Sequence, residues 1–154
     1  MLADDSFQKL FAEATGSLER LLDGVRSVAD VDIERGARFW RGRMTPRQAN
    51  ACPFECVLHT TQVFDLEMAS LKAEGLPLTE AATIVALARA AIDGTVVVRH
   101  YSSAGTGLDL GREVRVPMPD GTVWTLGERK RPGRPALLTE TIFQDRSFVP
   151  YTRR

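Results

Sequence analysis

Four arginines, a phenylalanine and a tryptophan fall within the eleven residues Ile33-Glu-Arg-Gly-Ala-Arg-Phe-Trp-Arg-Gly-Arg43, and a guanidinium is the side chain best suited to a phosphate or a base edge. Wound as a helix, the stretch brings Arg35, Arg38 and Arg41 around one face at three-residue spacing, with Ala37 and Trp40 on another. Asp32 stands where an N-cap would accept free backbone donors, and Gly42 where a helix would end. With Arg43 and Arg47 this makes a five-arginine surface suited to a polyanion. The bland alternative is a solvated arginine-rich face. A second basic run, Arg129, Lys130, Arg131 and Arg134, is broken by Pro132 and Gly133. Such an extended loop suits a narrow minor groove, or is simply a solvated hairpin loop. Cys52, Cys56 and His59 form a Cys-x3-Cys-x2-His set that could offer three ligands to zinc. A fourth is missing and the neighbours Pro53, Phe54 and Val57 are apolar, so the expectation is packing without metal.

The formal charge of the 154 residues is zero, with 44% hydrophobic and 26% charged residues, an ordinary balance for a globular protein. The charge is nonetheless sorted along the chain. Residues 1–34 carry eight acids and three bases, whereas residues 35–47 carry five arginines and no acid. Residues 48–95 hold six acids against two bases, and residues 96–154 ten bases against six acids. A placed basic patch is what phosphate neutralisation needs. No apolar run is long enough to cross a bilayer, and Met-Leu-Ala-Asp-Asp lacks a basic leader. Two cysteines are too few for a disulfide framework. The expected location is therefore the cytoplasm, with no membrane and no cofactor.

The elements that would carry these residues begin with a helix over 6–28, from Phe7, Leu10, Phe11, Ala14, Leu18, Leu21, Leu22 and Val25, broken near Thr15-Gly16-Ser17. A turn at 29–32 and the arginine helix would complete a helix-turn-helix ended by Thr45-Pro46. Phe54–Leu58 reads as a short extended piece. Val63, Phe64, Leu66, Met68 and Leu71 read as a helix capped by Thr60 or Thr61 and ended at Gly75. Ile84, Val85, Leu87 and Ala88 mark another, broken at Asp93-Gly94. From Thr95 the texture turns to strands: 95–101, 112–117, 123–126 after Pro119-Asp-Gly-Thr122, and 136–143. Ser102–Leu108 is a glycine-rich connection without the Lys-Ser/Thr of a phosphate loop.

The order of a short Arg-Phe-Trp helix, an extended piece, a helix ending in Leu-Lys-Ala-Glu-Gly75, and then Leu-Pro-Leu-Thr-Glu-Ala-Ala-x-Ile-Val resembles the winged helix-turn-helix of MerR-type transcription regulators over about residues 18–92. The 35-residue gap from Trp40 to Gly75 matches that family's spacing. The Gly-Tyr-Arg-x-Tyr of the wing is missing, with Cys52–Cys56 roughly in its place, and no long dimerisation helix follows. A second, shorter stretch, residues 124–143 with Gly133-Arg-Pro-Ala-Leu-Leu-Thr-Glu140, is similar to the carboxy-terminal strand of chorismate lyases. That resemblance would make Glu140 a catalytic carboxylate; an acid on the wet face of a strand is the ordinary reading.

The resulting expectation is an α+β protein: a helical arm (1–17), a MerR-like winged helix-turn-helix (18–93) and an antiparallel β-rich domain (94–154). Its function would be sequence-specific regulation of transcription as a homodimer on double-stranded DNA, through Arg35, Arg38, Arg41, Arg43, Arg47, Arg129, Lys130, Arg131 and Arg134. The alternatives are a chorismate-lyase-like enzyme acting on an aromatic acid and a protein-interaction module. Trp40 and Leu71 are expected in the core.

Overall fold

The computed structural model describes residues 1–129 and 140–151. Helix α1 (Asp4–Gly24) buries Phe7, Ala14, Leu18 and Leu22, a stripe at helical spacing, and carries Asp4 and Asp5 in its first turn, where the helix dipole favours acids. It runs through Thr15-Gly16-Ser17 without a break. Five strands follow: β1 (Ala29–Arg35), β2 (Phe39–Pro46), β3 (Phe54–His59), β4 (Val63–Met68) and β5 (Leu71–Pro77). They pair antiparallel in sequence order. Along β2 to β4 the alternation is regular: Trp40, Gly42, Met44, Phe54, Cys56, Leu58, Phe64, Leu66 and Met68 are buried, and the residues between them face outward. Helix α1 covers this inner face over β1 and β2 and packs along helix α2 (Ala81–Asp93), which ends on the left-handed Gly94.

The rest of the described chain is a second antiparallel sheet of β6 (Val97–Ser103), β7 (Asp109–Pro117), β8 (Val123–Arg129) and β9 (Thr141–Ser147), in the order β8-β7-β6-β9. It meets α2 through β7 and the first sheet through β8 against β5, and Val96, Val98, Val114 and Val116 join the common core. The segment after β9 then returns to the first sheet. Val149 pairs with Ala51, the Tyr151 N–H donates to the Ile92 carbonyl at 2.9 Å, and the fully buried Tyr151 hydroxyl donates to the Cys52 carbonyl.

Several sequence expectations are thereby corrected. Among the described residues the fold is two antiparallel sheets of nine strands with two helices, not an N-terminal helical winged helix-turn-helix. Residues 33–43, expected as a recognition helix, form the β1–β2 hairpin, with Arg35 opposite Trp40 and Asp32 opposite Arg43. Gly36 and Gly42 each disfavour a helix by about 1 kcal/mol relative to alanine, while Trp40, Gly42 and Met44 fit a strand that buries every second residue. Residues 60–75, also expected as helix, form the turn after β3 and the β4–β5 hairpin. Its two-residue turn, Ala69-Ser70, takes φ of 53° and 67°. Both values belong to the mirror-image turn that Asn-Gly or Asp-Gly ordinarily marks, so the hairpin carries no turn signal in its residue types. The helix over 81–93 and the strands at 54–59, 97–103, 109–117 and 123–129 lie where the sequence patterns place them, within a few residues. Of the last expected strand, 136–143, residues 136–139 lie outside the described residues, and β9 begins at Thr141.

Candidate functional site

Of the five clustered arginines, Arg41 and Arg43 lie on the outward face of the first sheet, Arg47 follows β2, Arg38 stands at the β1–β2 turn, and Arg35, opposite Trp40, lies on the α1 side; most of them meet carboxylates. Arg35 donates from Nε to Glu19 at 2.8 Å; the same carboxylate oxygen accepts the buried Trp40 indole N–H at 2.9 Å. These two bonds hold the Glu19 carboxyl below its ordinary range. Arg41 donates to Glu55 at 2.6 Å and lies 3.4 and 3.8 Å from Asp32 and Glu34, so one guanidinium serves three acids. Arg43 lies 3.8 Å from Asp32, and Arg47 bonds the Ser27 carbonyl at 3.1 Å with Asp30 at 3.7 Å. Arg38 is exposed at the β1–β2 turn, its carbonyl accepting the Thr60 N–H, and no carboxylate meets its guanidinium among the described residues. For Arg41 and Arg43 the pattern is a strand alternation with acids on the neighbouring strands, the usual cross-strand neutralisation of a wet sheet face, whereas Arg35 is met by an acid of α1. Of the second basic run, Lys130, Arg131 and Arg134 lie outside the described residues, and Arg129 ends β8.

Cys56 and His59 cannot share an ion, because strand alternation sends the Cys56 side chain into the core and His59 to the outer face. His59 Nε2 instead lies 2.8 Å from Asp65. Burial raises the pKa of Asp65, but the His59 contact and the Gly75 N–H outweigh it and hold the carboxyl below its ordinary range. Cys52 and Cys56 are free and buried; burial pushes the Cys52 thiol up to about 12 and the Cys56 thiol higher still. They are therefore inert thiols at neutral pH. Glu140 is exposed at the head of β9, its carbonyl accepting the Ala104 N–H at 2.8 Å.

Two features have no counterpart among the residues singled out in the sequence. The first is the edge of the second sheet. All of Ile142–Ser147 is exposed, and Ile142 and Phe143 keep 48% and 55% of their surface in water on opposite faces of β9. On the outward face Arg99 stacks on Phe143 at 3.8 Å from the ring centre and forks onto Asp145 at 2.8 and 3.1 Å. Tyr101 meets the edge of the same ring at 6.4 Å and donates to Glu113 at 3.3 Å. The strand is thus stiffened on its β6 side by side chains, while its other side has no neighbouring strand among the described residues. The alternation of Phe143 and Asp145 opposite Tyr101 and Arg99 was open to a period-two reading, but the pairing partner 46 residues away was not.

The second feature is a cleft of about 410 Å³ between the first turns of α2 and the β7–β8 hairpin, walled by Trp124 and Met118 and rimmed by Glu80 and Asp120. A smaller depression of about 190 Å³, bounded by Phe64 and Leu76, shares Glu80, Thr83 and Trp124 with it.

No family model matches the chain, and no curated protein or solved structure matches it either. The resemblance to MerR-type regulators is therefore overturned by the predominantly β-sheet fold and the lack of any family match. The local resemblance of 124–143 to chorismate lyases has no family match behind it, and residues 130–139 of that stretch lie outside the described residues. No helix of the described residues is long and apolar enough to cross a membrane.

Proposed function

We propose that the chain is a protein-binding module that takes an extended segment of a partner along β9. The observation that carries this reading is the contrast among the four outer strands. β1 alternates Asp30, Asp32 and Glu34; β5 carries Lys72, Glu74, an irregular register and Pro77; β8 lies against β5. Charges, bulges, prolines and coverage are the ordinary ways of keeping a sheet edge from pairing. β9 has seven residues, no proline and two large apolar side chains in water, and its Asp145 is already held by Arg99. An added strand would gain main-chain hydrogen bonds, and apolar side chains at alternate positions would cover Phe143 on one face or Ile142 on the other. DNA binding through the arginines of 35–47 is the competing reading. It loses the helix that motivated it, and a phosphate at Arg35 or Arg41 would have to displace Glu19 or Glu55.

Selection of displayed twelve-residue peptides on the immobilised chain, followed by amide hydrogen exchange, tests the proposal. The expected result is a peptide with alternating apolar residues that slows exchange in residues 141–147 and loses binding in Ile142→Lys and Phe143→Lys variants that remain folded. Peptide binding unaffected by both variants overturns it. So does a chain that already dimerises through β9, since the occupant is then a second copy, or salt-dependent binding of a random DNA pool indifferent to β9.

A further inference from the structure

The cleft beside Trp124 is built from chemistry that no part of the strand-addition reading uses, and β8, which carries Trp124, lies at the opposite edge of the sheet from β9. Its walls are mostly apolar: Met118, Pro119, Val123 and the alanines 82 and 86 of α2. The indole of Trp124 is half-buried and walls both this cleft and the adjoining depression, with no hydrogen-bond acceptor for its N–H among the described residues. Two carboxylates stand at the rim, Glu80 and Asp120, and neither lysine nor arginine lines either hollow. Glu80 precedes α2 but does not cap it with its side chain, so its carboxylate is not consumed by the helix. Asp120 is fixed by the Thr122 N–H and hydroxyl, both on Oδ1 at 2.9 and 2.5 Å, and these bonds hold its carboxyl below the ordinary range.

An anion attracted by the free N–H groups of the first turn of α2 would meet two like charges. A neutral apolar ligand would leave both carboxylates without a counter-charge. A primary ammonium carries three donors that must each find an acceptor, and these walls supply few. A methylated ammonium has its charge spread over apolar methyl groups, which suits an aromatic face with carboxylates nearby. We propose that the Trp124 cleft binds a methylated ammonium group, with the indole as its platform, Met118 and the α2 alanines around its methyls, and Glu80 and Asp120 as counter-charges.

The chain contains two tryptophans, and this makes nuclear magnetic resonance of the indole N–H groups a self-controlled test. The Trp40 indole is buried and donates to Glu19, far from any solute. Titration of the 15N-labelled 154-residue chain with choline is expected to move the Trp124 signal saturably and leave that of Trp40 in place. The uncharged isostere 3,3-dimethylbutanol should bind roughly tenfold more weakly, as should choline to a Glu80→Gln, Asp120→Asn variant with an unchanged spectrum elsewhere. A trimethyllysine peptide run in parallel separates the two sources of the group: tighter peptide binding assigns it to a protein side chain, tighter choline binding to a free solute, and either upholds the site. Equal response to the neutral isostere, a response of both indoles, or none at all overturns the proposal. None of these outcomes depends on β9, so failure here and failure of strand addition are distinguishable.

Discussion

Removing the Tyr151 side chain tests whether the carboxy-terminal segment is a structural clamp. Tyr151 is wholly inaccessible, its N–H and hydroxyl are bonded to the Ile92 and Cys52 carbonyls, and the preceding Val149 N–H donates to Asn50 at 3.0 Å. The segment also passes so close to Gly94 that a Cβ there would lie 2.7 Å from the Pro150 nitrogen. Tyr151→Phe keeps the ring and leaves a buried carbonyl without its donor, which costs about 1–2 kcal/mol. Tyr151→Ala also opens a cavity of aromatic size, and truncation of a buried aromatic costs about 3–5 kcal/mol. Against a total of roughly 5–15 kcal/mol for a domain, the second change removes a large share of stability. At about 2–4 °C per kcal/mol for a chain of this length, it lowers Tm on the order of 10 °C. The pH dependence supplies a second readout. Burial, then the nearness of Cys52, raises the Tyr151 pKa above its ordinary 10.0. A group whose folded pKa is raised supports the fold fully below its unfolded pKa, and that support is lost as pH climbs from there toward the folded value. Stability should thus fall above about pH 10, and Tyr151→Phe should flatten that decline. Urea unfolding followed by circular dichroism at pH 7 and across the alkaline limb measures both. If Tyr151→Ala unfolds within about 0.5 kcal/mol of the parent, a change typical of an unpacked surface position, the clamp does not exist in solution.

Three further outcomes follow from the same contacts. Gly42→Ala places a Cβ 2.4 Å from the Trp40 ring and 2.9 Å from Leu22; it should cost about 1–3 kcal/mol by overpacking and shift the Trp40 fluorescence, and an unperturbed spectrum would place that ring elsewhere. Arg41→Gln leaves Asp32, Glu34 and Glu55 facing one another; the half-exposed cluster makes the expected loss about 1 kcal/mol, shrinking in 1 M salt, so an equal loss at both salt concentrations would refute the ionic account. Asp65, whose folded pKa is lowered below 3.8, supports the fold above that value and loses its contribution as pH falls through the folded value. Asp65→Asn should therefore be less stable at pH 7 yet less sensitive to acid below about pH 4, and parallel acid curves would argue that the carboxylate is equally placed in the unfolded chain.

Some of this architecture is written in the order of residues. Helix α2 shows its apolar spacing and the Asp93-Gly94 stop, and β7 and β8 show alternation around a Pro-Asp-Gly turn, because those signals are local and agree with one another. The hairpins of the first sheet are different. Arg35, Arg38 and Arg41 satisfy a period of three as readily as Arg41 and Arg43 satisfy a period of two, and over eleven residues the two cannot be separated by composition. What decided was tertiary: the inner face of α1 requires Trp40, Gly42 and Met44 on one side of β2 at once, and acids on β1 and β3 take up the arginines left outside. The same holds for Cys56 and His59, three apart in the chain and on opposite faces of a sheet. Of the candidate sites, the alternation along β9 was legible but none of the partners was. Trp124 and Glu80 line one cleft only because the β7–β8 hairpin lies beside α2, and Arg99 reaches Phe143 and Asp145 because β9 crosses to the far edge beside β6. Composition and local periodicity state which residues are apolar, charged or turn-forming; which strand ends at an edge, and whose charge a neighbour cancels, depends on pairings between residues tens of positions apart.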